Sequence, residues 1–234
     1  MVLLYPLLFL IGLCVGSFIN VLIVRLDRKS GILFGRSECL KCHTQLSWLD
    51  MVPVISYFFL VGKCRYCKSR ISPVYPMIEL VMALVVTLYF WVNGFIWGQV
   101  VVYHLTLLVL LVSLIFFDLL YFILPDKITF SLAGLVLFYD IFFRRLELTT
   151  LFLTGFLLAL GFGIIYLVSR GRLMGFGDVK LVFVVGLILG YPLGLFTVIM
   201  AIWSAALLGL GLILLQRATL KTALPFGSFL SAAT

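Results

Sequence analysis

Long apolar runs dominate this chain and leave few folds open to it. Seven such runs lie near residues 2–24, 76–97, 100–122, 128–143, 150–168, 179–195 and 196–215. A helix needs about 20 apolar residues to cross the hydrocarbon core of a bilayer, and most runs come close to that length, although the fourth and sixth are shorter. Residues 224–230 look like the entry to an eighth span or a segment lying in the membrane interface. The pattern predicts an all-α polytopic membrane protein, a bundle of about seven to eight transmembrane helices with membrane lipid as its partner.

The shortage of charged residues excludes a soluble domain. Charged residues make up 11% of the chain and hydrophobic residues 64%, whereas soluble domains carry about 25% charged residues. The net charge of +8 fits the basic loops of a membrane protein. No basic stripe interleaved with aromatic side chains indicates a nucleic-acid partner, so none is expected. No basic residue precedes the first apolar run, which is therefore interpreted as a retained span and not as a secretory signal.

The basic residues orient the predicted spans. The segment 25–75 contains nine of them, and alternation of the spans places fifteen of the 17 basic residues on one side of the membrane. Only Arg144 and Arg145 fall on the other side. Because loops rich in lysine and arginine remain in the cytoplasm, this split predicts that the segment 25–75 is cytoplasmic.

The segment 25–75 contains two C-x-x-C pairs. Cys39 and Cys42 form the first pair, Cys64 and Cys67 the second, with 21 residues between them. Two such pairs provide four thiolates for one tetrahedral ion, as in zinc ribbons, and neighbouring basic residues favour the thiolate form. The sequence therefore predicts a structural zinc. It also predicts three parts: a first transmembrane helix (1–24), a cytoplasmic four-cysteine zinc-binding loop (25–75) and a transmembrane helix bundle (76–234).

Other interpretations of the cysteines are weaker. Two disulfides or four free thiols would also use the pairs, but a cytoplasmic segment faces a reducing compartment. His43 follows Cys42 and could replace one ligand, yet four cysteines already fill a tetrahedral site. Cys14 lies within the first apolar run, where it is interpreted as a small buried hydrophobic residue.

Two aspartates lie within apolar sequence, where an ionisable side chain is costly. Asp118 lies near the end of the third run, and Asp178 opens the sixth. A membrane-embedded acid costs about 2.5–3.5 kcal/mol on insertion scales, so such residues usually face a cavity and have a function. The third predicted span runs inward and the sixth outward, which places both aspartates near the cytoplasmic face. They can meet if these two helices are neighbours.

Two carboxyl groups in contact have the chemistry of an aspartic protease. They share one proton, because both cannot ionise side by side. One then acts as a general base on water, while its protonated partner polarises the scissile carbonyl. Gly175 and Gly177 place no side chain beside Asp178, which would let an extended substrate strand approach the backbone. Alternatively, the two acids are polar anchors, or the proton site of a transporter or assembly scaffold.

Two further acids and a set of glycines are interpreted as structural. Glu79 is expected in the first turn of the second span, where a helix N-terminus favours a carboxylate. Asp126 follows a proline and is expected to be the N-cap of the fourth span. Gly186, Gly190 and Gly194 recur at a spacing of four, which predicts close helix packing in lipid.

The ordered set of motifs resembles that of the prepilin leader peptidases of type IV pilus, type II secretion and competence systems. The matching segments are 16–20, the two cysteine pairs, 52–57, 62–67, 71–76 with Glu79, Asp118 with 124–126, 175–181 and 225–227. The G-x-G-D element at 175–178 also occurs in presenilin-like proteases. The resemblance covers nearly the whole chain, and the ordered set is far more specific than any single element.

This resemblance implies a function as well as a fold. It implies a membrane aspartic endopeptidase of the bacterial inner membrane, with Asp118 and Asp178 as the catalytic pair on the cytoplasmic side. The implied substrates are type IV prepilins or pseudopilins, cut after a glycine that ends a short basic leader. Members with the cysteine loop commonly also methylate the new N-terminus with S-adenosylmethionine. No residue pattern indicates a methyl-donor site, so a peptidase without methyltransferase activity stays open.

Overall fold

A computed structural model describes residues 4–26, 36–95, 98–144, 148–217, 219 and 222–234. Helices account for all the regular structure in these ranges. They are α1 (Leu4–Leu26), α2 (Ile55–Phe59), α3 (Val74–Asn93), α4 (Gln99–Tyr121), α5 (Asp126–Tyr139), α6 (Leu148–Ser169), α7 (Phe176–Leu189), α8 (Leu193–Leu214) and α9 (Phe226–Ala233), with short 3-10 and π segments at Trp48–Met51 and Asp140–Arg144. The described ranges contain isolated β-bridges but no strand. The predicted all-α fold is confirmed.

Five of these helices are long and apolar enough to cross a membrane: α1, α3, α4, α6 and α8. The two short predicted runs form α5 and α7, which have 14 residues each. At 1.5 Å per residue, a helix of that length extends about 21 Å, less than the hydrocarbon core of about 30 Å. The chain is therefore a multi-pass membrane protein that also contains two shorter apolar helices.

The first compact unit, Met1–Leu105, is built on the pair α1 and α3. Two glycines of α1 allow the close approach. A Cβ atom at Gly12 would lie 2.5 Å from the Cα of Ala83, and one at Gly16 would lie 2.5 Å from the Cα of Glu79. Helices in lipid pack through small residues of this kind. Cys14 lies on the opposite side of α1 and is exposed, so its predicted burial was wrong, because that side of the helix has no partner in the described unit.

The second compact unit, Thr106–Thr234, surrounds α7. Helices α5, α6, α8 and α9 all contact it. Most of α7 is buried, which explains why its sequence is apolar on every side. A Cβ atom at Gly186 would lie 2.4 Å from the Cα of Gly155, so these two glycines set the distance between α6 and α7. The predicted close packing is confirmed for Gly186 and also for Gly190 and Gly194, where a Cβ atom would lie 2.9 Å from Leu151 and 3.4 Å from the Cα of Gly186. Gly190 also ends α7, with a φ of 64°.

Candidate active site and cysteine cluster

Asp118 lies in the last turn of α4 and is buried within the second unit. Its Oδ2 atom accepts a hydrogen bond of 2.6 Å from the backbone N–H of Ser228, in the first turn of α9. The backbone N–H of Gly227 also interacts with this carboxyl group as a hydrogen-bond donor. Unpaired N–H groups and the helix dipole make a helix N-terminus favourable for a negative charge. The first turn of α9 therefore lies against the Asp118 carboxyl group and provides its hydrogen-bond donors.

Asp178 lies in the first turn of α7. Gly175 precedes the helix in an extended conformation, and its N–H donates a hydrogen bond of 3.2 Å to Oδ2 of Asp178. The side chain thus folds back over the start of its own helix, as an acid at this position often does. Gly175 is exposed, so its backbone is open to a partner.

The structure brings the two aspartates together at one end of the second unit. Asp118 is close enough to Asp178 for the two carboxyl groups to interact electrostatically. They come from the end of one helix and the start of another, as the predicted helix directions require. An electrostatic interaction between the two carboxyl groups is consistent with the predicted pair, whose catalytic role stays a prediction.

Leu124 packs against the first turns of both α7 and α9. A Cβ atom at Gly177 would lie 3.2 Å from the Cβ of Leu124, and one at Gly227 would lie 2.9 Å from both of its methyl groups. The same Cβ at Gly227 would lie 3.1 Å from Oδ2 of Asp118. The first turns of α7 and α9 thus converge on one side chain, and Gly177 serves this packing in addition to any role in substrate approach.

The four cysteines of the two C-x-x-C pairs form a cluster in the first unit. Their Sγ atoms lie within 4.8 Å of one another, and those of Cys39 and Cys67 are 3.8 Å apart. Four sulfur ligands about 2.3 Å from a tetrahedral zinc would be separated by about 3.8 Å. All five cysteines of the chain have free thiols. The donor set and the spacing fit zinc.

The two cysteine pairs have the same backbone geometry. In each, the residue after the second cysteine is left-handed, at φ 55° for His43 and 56° for Lys68. Each is closed by one antiparallel bridge, Glu38 to Gln45 and Lys63 to Arg70. Hydrogen bonds from backbone N–H groups of the first pair lower the pKa of the Cys39 thiol to about 6. A thiol with this pKa is largely ionised at neutral pH, which is the state that binds metal.

Asp50 joins the linker between the cysteine pairs to the second pair. Its carboxylate accepts hydrogen bonds of 2.7 Å from the Ser47 hydroxyl and from Nε of Arg65. Burial raises the pKa of Asp50, but the hydrogen bonds from Ser47 and Arg65 outweigh this effect and hold that pKa below its usual range. Asp50 is therefore a charged clamp at neutral pH.

Two protein families match the chain, one in each of its two compact units. Residues 10–93 match the family described as the bacterial peptidase A24 N-terminal domain, and residues 105–210 match the type IV leader peptidase family. The prepilin leader peptidase/N-methyltransferase of Pseudomonas aeruginosa is 31% identical to the chain, over 96% of it and 86% of the relative. The protein of the same name from Vibrio cholerae is 33% identical, over 80% of the chain and 78% of the relative. The one from Aeromonas salmonicida is 29% identical, over 98% and 88%.

The chain belongs to the type IV leader peptidase family. Membership confirms the family predicted from the sequence motifs and identifies the chain as a peptidase. No solved structure matches it significantly. The segment that matches the leader peptidase family contains Asp118 and Asp178 but ends before α9. The contribution of α9 to the site comes from the structure.

A salt bridge beside the candidate active site of this leader peptidase was missed from sequence. Lys180 Nζ lies 2.6 Å from Oδ1 of Asp126 and also faces the rings of Phe130 and Phe176. Asp126 is the first residue of α5, and the N-cap is Pro125. The predicted N-cap role was wrong, because the proline already has the extended backbone that precedes a helix. The ion pair ties the starts of α5 and α7 together.

Glu79 also differs from its prediction. Helix α3 begins at Val74, so Glu79 lies in the second turn and not in the first. It is buried, and its carboxylate accepts hydrogen bonds from the backbone N–H of Val54, at 2.7 Å, and from Nδ2 of Asn20, at 3.3 Å. The prediction was wrong because the helix starts earlier than its apolar run. The observed contacts make Glu79 the link between the cysteine loop and the pair of helices α1 and α3.

Proposed function

We propose that this leader peptidase removes the basic leader of type IV prepilins or pseudopilins at the cytoplasmic face of a bacterial inner membrane. The observation that carries the proposal is the convergence of Asp118 and Asp178 at one end of the second unit. The names of the relatives support the substrate class. If the two shorter helices α5 and α7 cross the membrane together with the five long ones, fifteen of the 17 basic residues fall on the side of the aspartates, which supports the cytoplasmic face.

The surroundings of the two acids support different proposed roles for them in hydrolysis. Asp118 accepts a short hydrogen bond from Ser228 at the start of α9, and such bonds favour the charged form of a carboxyl group. Asp178 accepts one longer bond, from Gly175. In this proposal Asp118 is the general base, and Asp178 holds the shared proton.

Hydrolysis then follows from these two states. Asp118 takes a proton from water as the water oxygen attacks the scissile carbonyl carbon, and Asp178 gives its proton to the carbonyl oxygen. A tetrahedral diol results. It breaks down as the leaving amine takes a proton from Asp118 and Asp178 recovers one from the diol, which leaves the pair as it began. The exposed backbone at Gly175 is the place where an extended substrate strand would lie next to the acids.

The same protein is proposed to methylate the new N-terminus, with S-adenosylmethionine as methyl donor. This part of the proposal is supported by the names of the relatives, which all include N-methyltransferase. Zinc is proposed as a structural ion held by Cys39, Cys42, Cys64 and Cys67. When bound, it would cross-link the two cysteine pairs, with all four coordination positions filled by protein. No residue is assigned to the methyl donor.

Substitution of either acid tests the peptidase proposal. Asp118→Asn and Asp178→Asn each remove one member of the pair, so we expect cleavage of a pilin-like peptide to fall by about a thousandfold or more, in line with loss of general acid–base catalysis. The measurement is mass spectrometry of the peptide after incubation with purified protein in detergent or nanodiscs. Glu38→Gln, which changes an exposed acid of the first unit, is the matched control and should cleave at the wild-type rate. Normal cleavage by Asp118→Asn or Asp178→Asn would remove that acid from the mechanism.

A peptidase without methyltransferase activity is the second candidate. It is favoured by one observation: the described residues show a candidate site for hydrolysis and none that we assign to a methyl donor. The same assay with and without S-adenosylmethionine separates the two candidates. An added methyl group on the processed N-terminus supports the bifunctional enzyme, and its absence supports the peptidase alone.

A further inference from the structure

The short helix α2, between the two cysteine pairs, exposes its apolar side, the opposite of what a helix on a water-facing surface does. Its apolar side chains point outward, with Ile55 49%, Phe58 69% and Phe59 84% exposed. Its more polar side, Ser56 and Tyr57, is half-buried. In a water-exposed segment the arrangement would be the reverse, because a surface helix directs its apolar side to the core. We call Ile55, Phe58 and Phe59 the outer face of α2.

The packing of Tyr57 fixes this orientation. A Cβ atom at Gly62 would lie 3.0 Å from the hydroxyl end of the Tyr57 ring, so the tyrosine packs directly on the glycine. Gly62 has a φ of 63°, a conformation that other residues rarely adopt. Because Tyr57 packs on the inner side of this single helical turn, the side chains of the outer face lie on the other side and point away from the protein.

A hydrogen bond sets the position of α2 relative to the membrane-spanning helices. The N–H of Val54, immediately before α2, donates to Glu79 Oε2 at 2.7 Å, and Glu79 is in turn bonded to Asn20 of α1. Val54 has a φ of 61°, a conformation that a β-branched residue rarely adopts, so it persists only where other contacts impose it.

The depth of this fixed point follows from the helix ends. Asn20 lies six residues before the end of α1 at Leu26, and Glu79 lies five residues after the start of α3 at Val74. At 1.5 Å per residue, these positions lie about 8–9 Å inside the ends of the two helices. Amphipathic segments that rest on a bilayer bury their apolar side about 5–10 Å into the boundary between headgroups and acyl chains. The start of α2, which is bonded to Glu79, lies about that far inside the helix ends.

The charge of the surrounding loop is complementary to a lipid surface. Residues 36–73 contain six basic and two acidic side chains. Lys63, Lys68 and Arg70, which follow α2, are exposed. Basic side chains next to an apolar patch attract anionic lipid headgroups to the same surface.

We propose that α2 is an interfacial anchor, in which the outer face inserts into the boundary between headgroups and acyl chains and holds the four-cysteine cluster against the membrane. The occupant of this surface is the lipid bilayer itself. Helix α3, whose Glu79 is bonded to Val54, also has exposed apolar side chains near its start, at Met77 and Leu80. The basic side chains after α2 then lie among the headgroups.

Tryptophan fluorescence tests this placement in the full-length protein. Phe59→Trp is introduced into a chain whose four native tryptophans (48, 91, 97 and 203) are replaced by phenylalanine. The protein is placed in nanodiscs made with lipids that carry bromine on the acyl chains near the headgroup. We expect bromine to quench the Phe59→Trp probe several-fold more than a Tyr66→Trp probe in the same background, and aqueous iodide to show the opposite order.

Tyr66 is a matched control, because it is also an exposed aromatic residue of the loop but lies between Cys64 and Cys67, outside α2. Phe58→Trp provides a second probe of the outer face if Phe59→Trp does not fold. Strong quenching of either outer-face probe by iodide, with no effect of bromine, would overturn the proposal. That outcome would make the outer face a water-exposed surface available to a protein partner.

Discussion

At the scale of single residues, the candidate site depends on the absence of side chains as much as on the acids. Gly227 has no room for a methyl group, since a Cβ atom there would meet both Leu124 methyl groups at 2.9 Å and the Asp118 carboxylate at 3.1 Å. Overpacking of this kind typically costs about 1–3 kcal/mol. The carboxylate is therefore held in place by backbone that lies against it.

Substitution of Gly227 by alanine should lower activity through this contact. We expect Gly227→Ala to reduce leader cleavage by about tenfold or more, because the added methyl group displaces Asp118 from the start of α9. The double variant Gly227→Ala/Leu124→Ala removes the two closest contacts and should recover part of the loss. Initial rates on a pilin-like peptide are the measurement.

Gly211 of α8 serves as the control for this pair, because a Cβ atom there meets nothing within 4 Å. Gly211→Ala should retain the wild-type rate. A Gly227→Ala protein that cleaves normally would contradict the tight fit at Asp118.

At the scale of elements, α9 is the least expected contributor to the site. The eight-residue helix contacts α7 and α8, and its first turn donates to Asp118. The apolar pattern predicts that residues 224–230 are the entry to an eighth span or an interfacial segment. The pattern could indicate an apolar helix start, but not which side chain the start would face, because that depends on a contact across the fold.

Removal of one N–H group tests the role of α9. Ser228→Pro deletes the donor to Asp118, and proline is compatible with the first turn of a helix. A hydrogen bond to a charged group contributes about 1.5–3 kcal/mol, so kcat should fall about tenfold to a hundredfold while KM changes little. Steady-state kinetics on the pilin-like peptide provide both constants.

Ser228→Ala is the matched control for this variant, since it removes the hydroxyl group and keeps the N–H. It should remain close to wild type in kcat. Equal losses in the two variants would show that the N–H group is not the feature that matters.

The cysteine loop is the other element with a defined test. The four thiols of the cluster fit one zinc ion, whereas Cys14 lies in α1 and is outside the cluster. We expect the purified protein to contain about one zinc per chain and Cys42→Ser to lose it, because three thiolates bind zinc less tightly than four. Elemental analysis gives the stoichiometry. Cys14→Ser should keep its zinc, and a zinc content unchanged by Cys42→Ser would remove Cys42 from the ligand set.

The sequence predicts some residues of the candidate site and not others. Asp118 and Asp178 were found because an ionisable side chain in an apolar run is costly, and the cysteine pairs because of their spacing. Leu124 and Gly227 belong to the motifs of the resemblance, but their contact with each other is not predicted, since an apolar residue and a glycine are ordinary in such a chain. The salt bridge between Asp126 and Lys180 was missed for another reason: it joins residues 54 positions apart, and spacing does not reveal such a contact.

At the scale of the whole molecule, the distribution of charge predicts the orientation in the membrane. The exposed basic residues of the segment 36–73 make it a target for trypsin. If the aspartates face the cytoplasm, trypsin should cut this segment in inverted inner-membrane vesicles and leave it intact in right-side-out vesicles. Immunoblotting with a terminal epitope detects the fragments. Cleavage only in right-side-out vesicles would reverse the orientation and the proposed side of catalysis.

The apolar pattern predicted the number and order of the helices well. It was less informative about α5 and α7, because a buried helix and a spanning helix have the same apolar composition. Their 14-residue lengths were the useful signal. The depth of burial of α7 followed only from the helices that pack around it.

The bond between Asp118 and Ser228 joins residues 110 positions apart along the chain. When α4 has been synthesised and inserted, Asp118 is already present, but Ser228, whose N–H donates to it, has not yet been synthesised. The candidate site is complete only when α9 has been synthesised and has docked against Asp118. If the proposed mechanism holds, we expect the chain to have no peptidase activity before that point.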